Sequence, residues 1–271
     1  MTDELVIYEV KDRIAHITIN RPNKRNSFTE DTRRELIDHW VTFKHDNDAD
    51  VAILTGTGDI AWSAGSDLKE IGTGITVSNP DWKPPIEGVS TIGLACMSGL
   101  DIEKPVIGAI NGVALGFGFA LALACDIRIG TPNSRFACTE VKFGHMAGGG
   151  QATLLPSTVP FGWAMELALT GDQIDAPTAD KIGILNRIVE PDQLIDECVA
   201  LANRMIECGP TVVRQTKRFM YRAMGQSYLD SMELEGIFYQ RIQSSKDYYI
   251  GTQAFVNAPN IKKVRPDFIR E

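Results

Sequence analysis

A glycine-punctuated segment runs from Asn111 to Ala120 and reads NGVALGFGFA. Gly112, Gly116 and Gly118 predict a tight turn, and the alanine-rich apolar residues that follow predict a short buried helix. Such a turn leaves backbone amides free at a helix N-terminus, where negative charge is stabilised. It is not a dinucleotide-binding fingerprint, because Leu121 stands where the third glycine is required. Close packing of a small-residue helix would explain the same glycines.

A second loop of this kind lies upstream, where residues 62–70 read WSAGSDLKE after a short apolar strand. Gly65 permits an unusual backbone angle, and Asp67 is placed to begin a helix. This turn would also direct one or two amide N–H groups outward, and such groups are the donors that an oxyanion requires. An ordinary strand-to-helix turn would read the same way.

A third candidate is Glu140, which ends the segment FACTE about twenty residues after the glycine turn. Its sequence neighbours are largely apolar: Phe136, Val141, Phe143 and Met146. A carboxyl group in such surroundings is expected to have a raised pKa and to transfer protons near neutral pH. A surface glutamate at a strand end is the alternative. His145 fits either a polar pocket residue or a hydrogen-bonded structural histidine.

Composition and charge exclude several classes of protein. The 271 residues include 27 Lys and Arg against 35 Asp and Glu, a formal charge of -8, which argues against nucleic acid as a partner. No apolar run approaches the roughly 20 residues that span a bilayer, and Asp3 and Glu4 stand where a signal peptide carries basic residues. We therefore expect a cytoplasmic protein. The cysteine and histidine spacings match no metal-binding pattern, so we expect reduced thiols and no metal.

The order of elements predicts an α/β protein. Short strand-like runs alternate with helices up to about residue 190, and amphipathic helical patterns dominate from Pro191 onwards. We therefore predict a core over residues 1–190 and a helical C-terminal region over residues 191–271. Gly72 to Pro85 is rich in glycine, proline, serine and asparagine, which predicts a surface loop.

Together the three segments resemble the crotonase superfamily, the enoyl-CoA hydratases and isomerases. The resemblance extends along the chain to RPNKRNS at 21–27, CDIRI at 125–129, LTGDQIDA at 169–176 and GILNRIV at 183–189. It implies a ClpP-like spiral of ββα units with a helical C-terminal trimerisation region, in trimers that often pair into hexamers. It also implies a coenzyme A thioester as substrate, and no other cofactor.

The resemblance also implies a role for each matched residue. The amides of Ser66 and Phe117 would stabilise the thioester enolate, and Glu140 would act as the general acid and base. Phe117 replaces a glycine, and its ring is expected to reshape the pocket or the turn. Residues expected to contact the substrate are Lys24, Arg25, Ala64, Gly65, Asp67, Gly116, Ala120, His145, Gly148 and Lys262.

The sequence departs from the family at one important position. Hydratases that resemble it carry a second glutamate where this chain has Ala120. One carboxylate is enough for a 1,3-proton shift, so an isomerase or a hydratase-lyase is the alternative to a simple hydratase. A carbon–carbon hydrolase is weakly matched, since His145 is displaced by five residues, and a dehalogenase aspartate is replaced by Gly148. A non-catalytic acyl-CoA-binding protein is the remaining alternative.

Overall fold

The structure, a computed structural model, describes residues 4–75, 77–258 and 266–270 of the chain. Its strands are β1 (Val6–Lys11), β2 (Ile14–Ile19), β3 (Val51–Gly56), β4 (Ala61–Ser63), β5 (Val106–Ile110), β6 (Val113–Leu115), β7 (Ile127–Gly130), β8 (Arg135–Ala137), β9 (Ile174–Asp175) and β10 (Arg187–Ile188). Its α-helices are α1 (Glu30–His45), α2 (Leu68–Thr73), α3 (Thr91–Ala95), α4 (Phe117–Ala124), α5 (Gln151–Thr158), α6 (Phe161–Thr170), α7 (Ala176–Ile182), α8 (Leu194–Ile206), α9 (Pro210–Ala223), α10 (Tyr228–Gln243) and α11 (Lys246–Asn257).

Within these residues the strands form two sheets. The larger sheet has the order β1-β2-β3-β5-β7-β10, and the smaller has the order β4-β6-β8-β9. The β1–β2 pair is an antiparallel hairpin, and the other pairs of the larger sheet are parallel. From β3 to β8 the chain three times places one strand in the larger sheet and the next in the smaller one, and a helix follows each pair. The predicted α/β spiral of ββα units is therefore confirmed.

Helix α1 shows why the sequence folds in this way. The Thr29 side chain accepts a hydrogen bond of 3.2 Å from the Thr32 amide, which caps the first turn. The apolar stripe of α1 is buried against the core, with Leu36, Trp40 and Phe43 at 0% exposure. The central strands β3 and β5 are apolar on both faces because helices cover both sides of a parallel sheet.

The predicted surface loop over residues 72–85 is tied to α1 in its described part. The Ser78 amide donates to Asp31 Oδ2 at 3.0 Å, and the Trp82 indole N–H donates to Asp38 Oδ1 at 3.0 Å. Arg34 Nη1 donates to the carbonyl of Asn79 at 2.8 Å. These contacts hold the loop over one face of the helix.

The helical segment that follows residue 190 begins by covering the larger sheet. Leu194, Cys198 and Ala202 of α8 are buried in one apolar cluster with Ile53 and Ile107 of the sheet. Helices α9, α10 and α11 instead expose large apolar side chains: Met220, Tyr221, Met224, Tyr228, Leu229, Met232, Ile237, Tyr239, Tyr248, Tyr249, Phe255 and Val256. In the part of the chain that the structure describes, no helix is long and apolar enough to cross a membrane.

Candidate active site

The loops that follow β4 and β6 approach each other as closely as their backbones allow. Gly65 has a φ of +92° and Gly116 a φ of +52°, in the region that favours glycine. A Cβ atom on Gly65 would lie 2.6 Å from the carbonyl oxygen of Leu115 and 3.3 Å from the amide nitrogen of Phe117. The sequence therefore requires glycine here because a side chain would separate the two loops.

The amides of Ser66 and Phe117 are the free donors of these loops. The Phe28 amide donates to Gly65 and the Asp67 amide donates to the Phe28 carbonyl, both at 2.8 Å, so the Ser66 N–H points away from Phe28. Phe117 is the first residue of α4, whose N-terminal amides have no partner within the helix. Among the described residues, no group accepts a hydrogen bond from either amide.

The ring of Phe117 is held in the core. It meets the ring of Phe28 edge to face, with centroids 4.9 Å apart, and the guanidinium of Arg33 lies 6.0 Å from its centroid. Only 5% of Phe117 is exposed. The bulky side chain at this position therefore packs between the loops, and the backbone amide stays free.

A cavity of about 460 Å³ opens beside these two amides. It is bounded by residues of both loops, of the turn that carries Glu140, and of α2 and α3. Eight of the residues predicted for the site line it: Ala64, Gly65, Ser66, Gly116, Phe117, Glu140, His145 and Gly148. The structure thus brings together segments that are about 25 to 75 residues apart in the sequence.

Other predicted contacts lie outside the cavity wall. Lys24 and Arg25 are exposed on the loop between β2 and α1. A 2.9 Å hydrogen bond from the Ala64 amide to the Arg25 carbonyl links this loop to the site. Asp67 caps α2 and forms an ion pair with Arg21 at 3.4 Å. Lys262 lies outside the described residues.

Ala120 is fully buried behind the cavity. A Cβ atom on Gly149 would lie 3.1 Å from the Ala120 methyl, 3.2 Å from Ile92 Cγ2 and 3.6 Å from Cys96 Sγ. Ala120 is 0% exposed and does not line the cavity, which differs from the expectation that it contacts the substrate. The Gly149 backbone therefore lies close to the Ala120 methyl, which limits the room on that side of position 120.

Glu140 lies in a 3₁₀ turn, Thr139–Phe143, directly after β8. A Cβ atom on Gly116 would lie 3.3 Å from Glu140 Oε1. The carboxyl group therefore lies against the loop that carries Gly116 and the Phe117 amide, which we call the oxyanion loop. Oε1 accepts a 2.6 Å hydrogen bond from Gln151 Nε2, and Oε2 is buried without a partner among the described residues. Burial raises the pKa of Glu140, while hydrogen bonds from its own amide and from Gln151, and the charge of His145, oppose the rise.

The apolar surroundings of Glu140 differ in part from the prediction. Phe136 is fully buried, but Phe143 is 58% exposed and Met146 is 80% exposed at the cavity wall. The carboxyl group is buried instead by the Gly116 loop and by Gln151. Gln151 was not predicted from the sequence. The glycine run directly before it is the signal that could have identified it.

The described residues contain no group of three His, Cys, Asp or Glu side chains that could hold a metal ion. The site offers two amide donors for a developing negative charge and one carboxyl group for proton transfer. These groups suit reactions in which a proton is added or removed at the carbon next to a carbonyl group.

Comparisons with known proteins agree with this geometry. A family model described as enoyl-CoA hydratase/isomerase matches residues 9–262. The short-chain-enoyl-CoA hydratase of Clostridium acetobutylicum is 32% identical over 95% of this chain and 96% of its own, and the (E)-benzylidenesuccinyl-CoA hydratase of Thauera aromatica is 35% identical over 79% and 80%. The crystal structure of an enoyl-CoA hydratase from Mycobacterium tuberculosis superimposes with a TM-score of 0.86 at 35% identity, over 98% of this chain and 99% of that one. The chain belongs to the enoyl-CoA hydratase/isomerase family, the crotonase superfamily.

Proposed function

We propose that this protein hydrates an enoyl-CoA, or dehydrates the corresponding 3-hydroxyacyl-CoA, with Glu140 as its single acid and base. The observation that carries the proposal is the pair of unpartnered amides, Ser66 and Phe117, in one cavity with the Glu140 carboxyl group. The thioester carbonyl oxygen would accept hydrogen bonds from both amides. Enolate charge develops on that oxygen, and loss of one such donor typically costs about 2.7–4 kcal/mol of transition-state stabilisation.

Glu140 would serve both halves of the reaction. In hydration, its carboxylate takes a proton from water as the water oxygen adds to C3, and the resulting carboxylic acid returns a proton to C2 of the enolate. Oε2 has no hydrogen-bond partner among the described residues, and we assign this exchange to it. The raised pKa of Glu140 makes its carboxylate a stronger base than an ordinary glutamate, which favours proton transfer from water.

A 1,3-isomerisation of the double bond is the second candidate, and the burial of Ala120 favours it. A 3-enoyl-CoA would lose a C2 proton to Glu140 and regain it at C4, so that no water is needed. A second carboxyl group is not required for this shift, and the chain presents none at position 120.

Product analysis separates the two candidates. The purified protein is incubated with crotonyl-CoA and with a 3-enoyl-CoA, and the products are identified by mass spectrometry. Hydration adds the mass of water, and isomerisation leaves the mass unchanged but moves the double bond. Binding of coenzyme A without turnover on either substrate would contradict the proposed activity and point to a binding protein.

The role of Glu140 is tested with a matched pair of variants. Glu140→Gln is expected to lower kcat by about 10²–10⁴-fold, because it removes proton transfer and keeps the side-chain shape. Glu166→Gln, at an exposed position of α6, is the control and is expected to leave kcat unchanged. Full turnover by Glu140→Gln would exclude the mechanism.

We also propose that Lys24 and Arg25 contact the coenzyme A portion of the substrate. Both are exposed cations on a loop that the Ala64 amide ties to the cavity. Their combined substitution by alanine is expected to raise the Kd for coenzyme A, measured by calorimetry, with little change in kcat. Lys11→Ala on β1 is the control, and equal affinity in both variants would contradict the assignment.

We further propose that the chain forms a homotrimer, or a hexamer of paired trimers. The exposed apolar side chains of α9, α10 and α11 support self-association, because contiguous apolar surface is costly in water. Size-exclusion chromatography with light scattering is expected to give a mass near three or six times 29.8 kDa. A monomer at micromolar concentration would contradict the proposal.

A further inference from the structure

Gln151 links the two parts of the candidate site. It is the first residue of α5 and is 0% exposed. Its Nε2 donates to Glu140 Oε1 at 2.6 Å and to the carbonyl oxygen of Gly116 at 3.1 Å. One side chain therefore contacts the carboxyl group and the loop that carries the Phe117 amide.

The orientation of the Gln151 amide group is determined by its surroundings. Nε2 faces three acceptors, since the carbonyl of Gly148 also lies 3.4 Å away, and an oxygen in this place would meet only other oxygens. The opposite atom, Oε1, is buried without a partner among the described residues. An unpaired buried acceptor destabilises the fold, so the contacts of Nε2 must outweigh that cost.

The contact with Gly116 also affects the neighbouring amide. Gly116 has a φ of +52° and a ψ of -124°, a conformation open chiefly to glycine. Because the peptide unit is planar, its C=O and N–H groups point in opposite directions. When the Gly116 carbonyl faces Gln151 and the α4 helix, the Phe117 N–H faces the cavity.

We propose that Gln151 is a positioning residue that holds the Glu140 carboxyl group and the Gly116–Phe117 peptide in one fixed arrangement. The inference rests on the proposed function and names a residue on which that function depends. Gln151 leaves Glu140 Oε2 as the oxygen that exchanges protons. It also stabilises the ionised carboxylate by donating to it, which keeps Glu140 able to act as a base.

Two titratable side chains near Glu140, those of His145 and Cys138, differ in their effect on the Glu140 carboxyl group. His145 lines the same cavity and its positive charge favours the carboxylate, whereas Cys138 is a buried thiol whose pKa is raised to about 12, mainly by its burial. Cys138 is therefore neutral over the working range. Gln151 and His145 are the neighbours whose removal would shift the titration of Glu140, and only Gln151 also contacts the oxyanion loop.

The test replaces Gln151 by methionine, which has a similar length and no donor, with Gln253→Met on the exposed face of α11 as control. We expect Gln151→Met to lower kcat by about 10- to 100-fold with KM within about threefold, because a hydrogen bond to a charged group is lost. The acidic limb of the kcat profile is expected to move up by about one pH unit. Gln151→Met in a Glu140→Gln background should cause a smaller further loss, because only the contact with the Gly116 carbonyl remains to be removed.

The proposal would be overturned if Gln151→Met changed KM and left kcat unchanged, or if the acidic limb did not move. Fully additive losses in the double variant would also overturn it. If Gln151→Met does not fold, as judged by circular dichroism, Gln151→Glu replaces it in the test, because glutamate has nearly the same side-chain shape as glutamine. The two carboxyl groups of that variant would share one proton, so its acidic limb is expected to move up further.

A second readout separates this proposal from the proposed function. The Glu140 carboxyl is titrated by carbon NMR in glutamate-labelled protein and assigned with Glu140→Gln. A higher pKa in Gln151→Met supports the positioning role even if the wild-type protein turns over no enoyl-CoA, an outcome that would overturn the function alone. An unchanged pKa overturns the positioning role whether or not the enzyme is active.

Discussion

The rings of Phe28 and Phe117 meet edge to face, with their centroids 4.9 Å apart and their planes at 75°. Phe28 also pairs through its backbone with the residues on either side of Ser66. One buried residue therefore contacts both loops that present the free amides. We therefore expect the distance between the two donors to depend on this aromatic pair.

Removal of the Phe28 ring should loosen both loops. Phe28→Ala is expected to lower the free energy of unfolding by about 3–5 kcal/mol, because the side chain is 0% exposed and leaves a cavity. It should also lower kcat, since the amides lose their relative position. Urea denaturation and steady-state kinetics measure the two effects.

Phe161→Ala is the control for this prediction, because Phe161 is 66% exposed, and it should change the stability by no more than about 0.5 kcal/mol. In a double-mutant cycle, Phe28 and Phe117 should show a coupling of about 0.5–1.5 kcal/mol. Additive effects would contradict the importance of the ring contact.

A methyl group at Gly116 should disturb the active site directly. Its Cβ would lie 2.9 Å from Thr139 Oγ1 and 3.3 Å from Glu140 Oε1, at a φ of +52° that alanine rarely adopts. We expect Gly116→Ala to be destabilised by more than about 1 kcal/mol and to lose most of its activity. Thermal unfolding and kcat are the measurements.

The matched control is Gly162→Ala in α6, where a Cβ meets no atom within 4 Å. Because alanine favours the helix, this variant should be stabilised by about 0.5–1 kcal/mol with unchanged kcat. Similar behaviour of the two alanine variants would show that the loop tolerates a side chain.

Restoring a glutamate at position 120 should not create a conventional two-carboxylate site. Ala120 is fully buried and its methyl lies close to Gly149, so we expect Ala120→Glu to overpack this region or to bury a carboxyl group. We expect a loss of about 3 kcal/mol or more in the free energy of unfolding and no gain in hydration rate.

Ala200→Glu, on the exposed face of α8, provides the control and should be close to neutral. A stable Ala120→Glu protein that hydrates crotonyl-CoA faster than the wild type would mean that the space beside position 120 opens readily.

The raised pKa of Glu140 predicts a specific pH dependence of stability. The folded state keeps its proton to higher pH than the unfolded state, whose glutamate has the ordinary value of 4.5. The Glu140 contribution to the free energy of unfolding is therefore unfavourable above the folded pKa, and this penalty develops as pH rises from 4.5 through the folded value.

Glu140→Gln removes that penalty. Urea denaturation should show the variant gaining stability relative to the wild type between pH 4 and pH 8. The corresponding difference for Glu166→Gln should stay flat with pH, because Glu166 is exposed. A constant difference for Glu140→Gln would mean that the carboxyl group has the same pKa in both states.

The main parts of the fold and family could be predicted from local patterns. The β1–β2 hairpin, the Thr29 cap and the apolar stripe of α1 depend on neighbouring residues, so their signals are contained in short windows of sequence. The glycines at 65 and 116 likewise mark backbone angles that other residues avoid. The glycines indicated the two amide loops, and the resemblance of the matched segments to the crotonase superfamily implied the spiral.

Contacts between distant segments could not be predicted in this way. The sequence by itself determined which loops carry free amides and which glutamate is retained, because these depend on residue type and local backbone angle. Only the tertiary structure decided that the Phe117 ring packs on Phe28, that Gly149 lies beside the Ala120 methyl, and that Gln151 contacts Glu140. Such contacts join residues 11 to 89 positions apart, and packing in a dense interior depends on the whole fold.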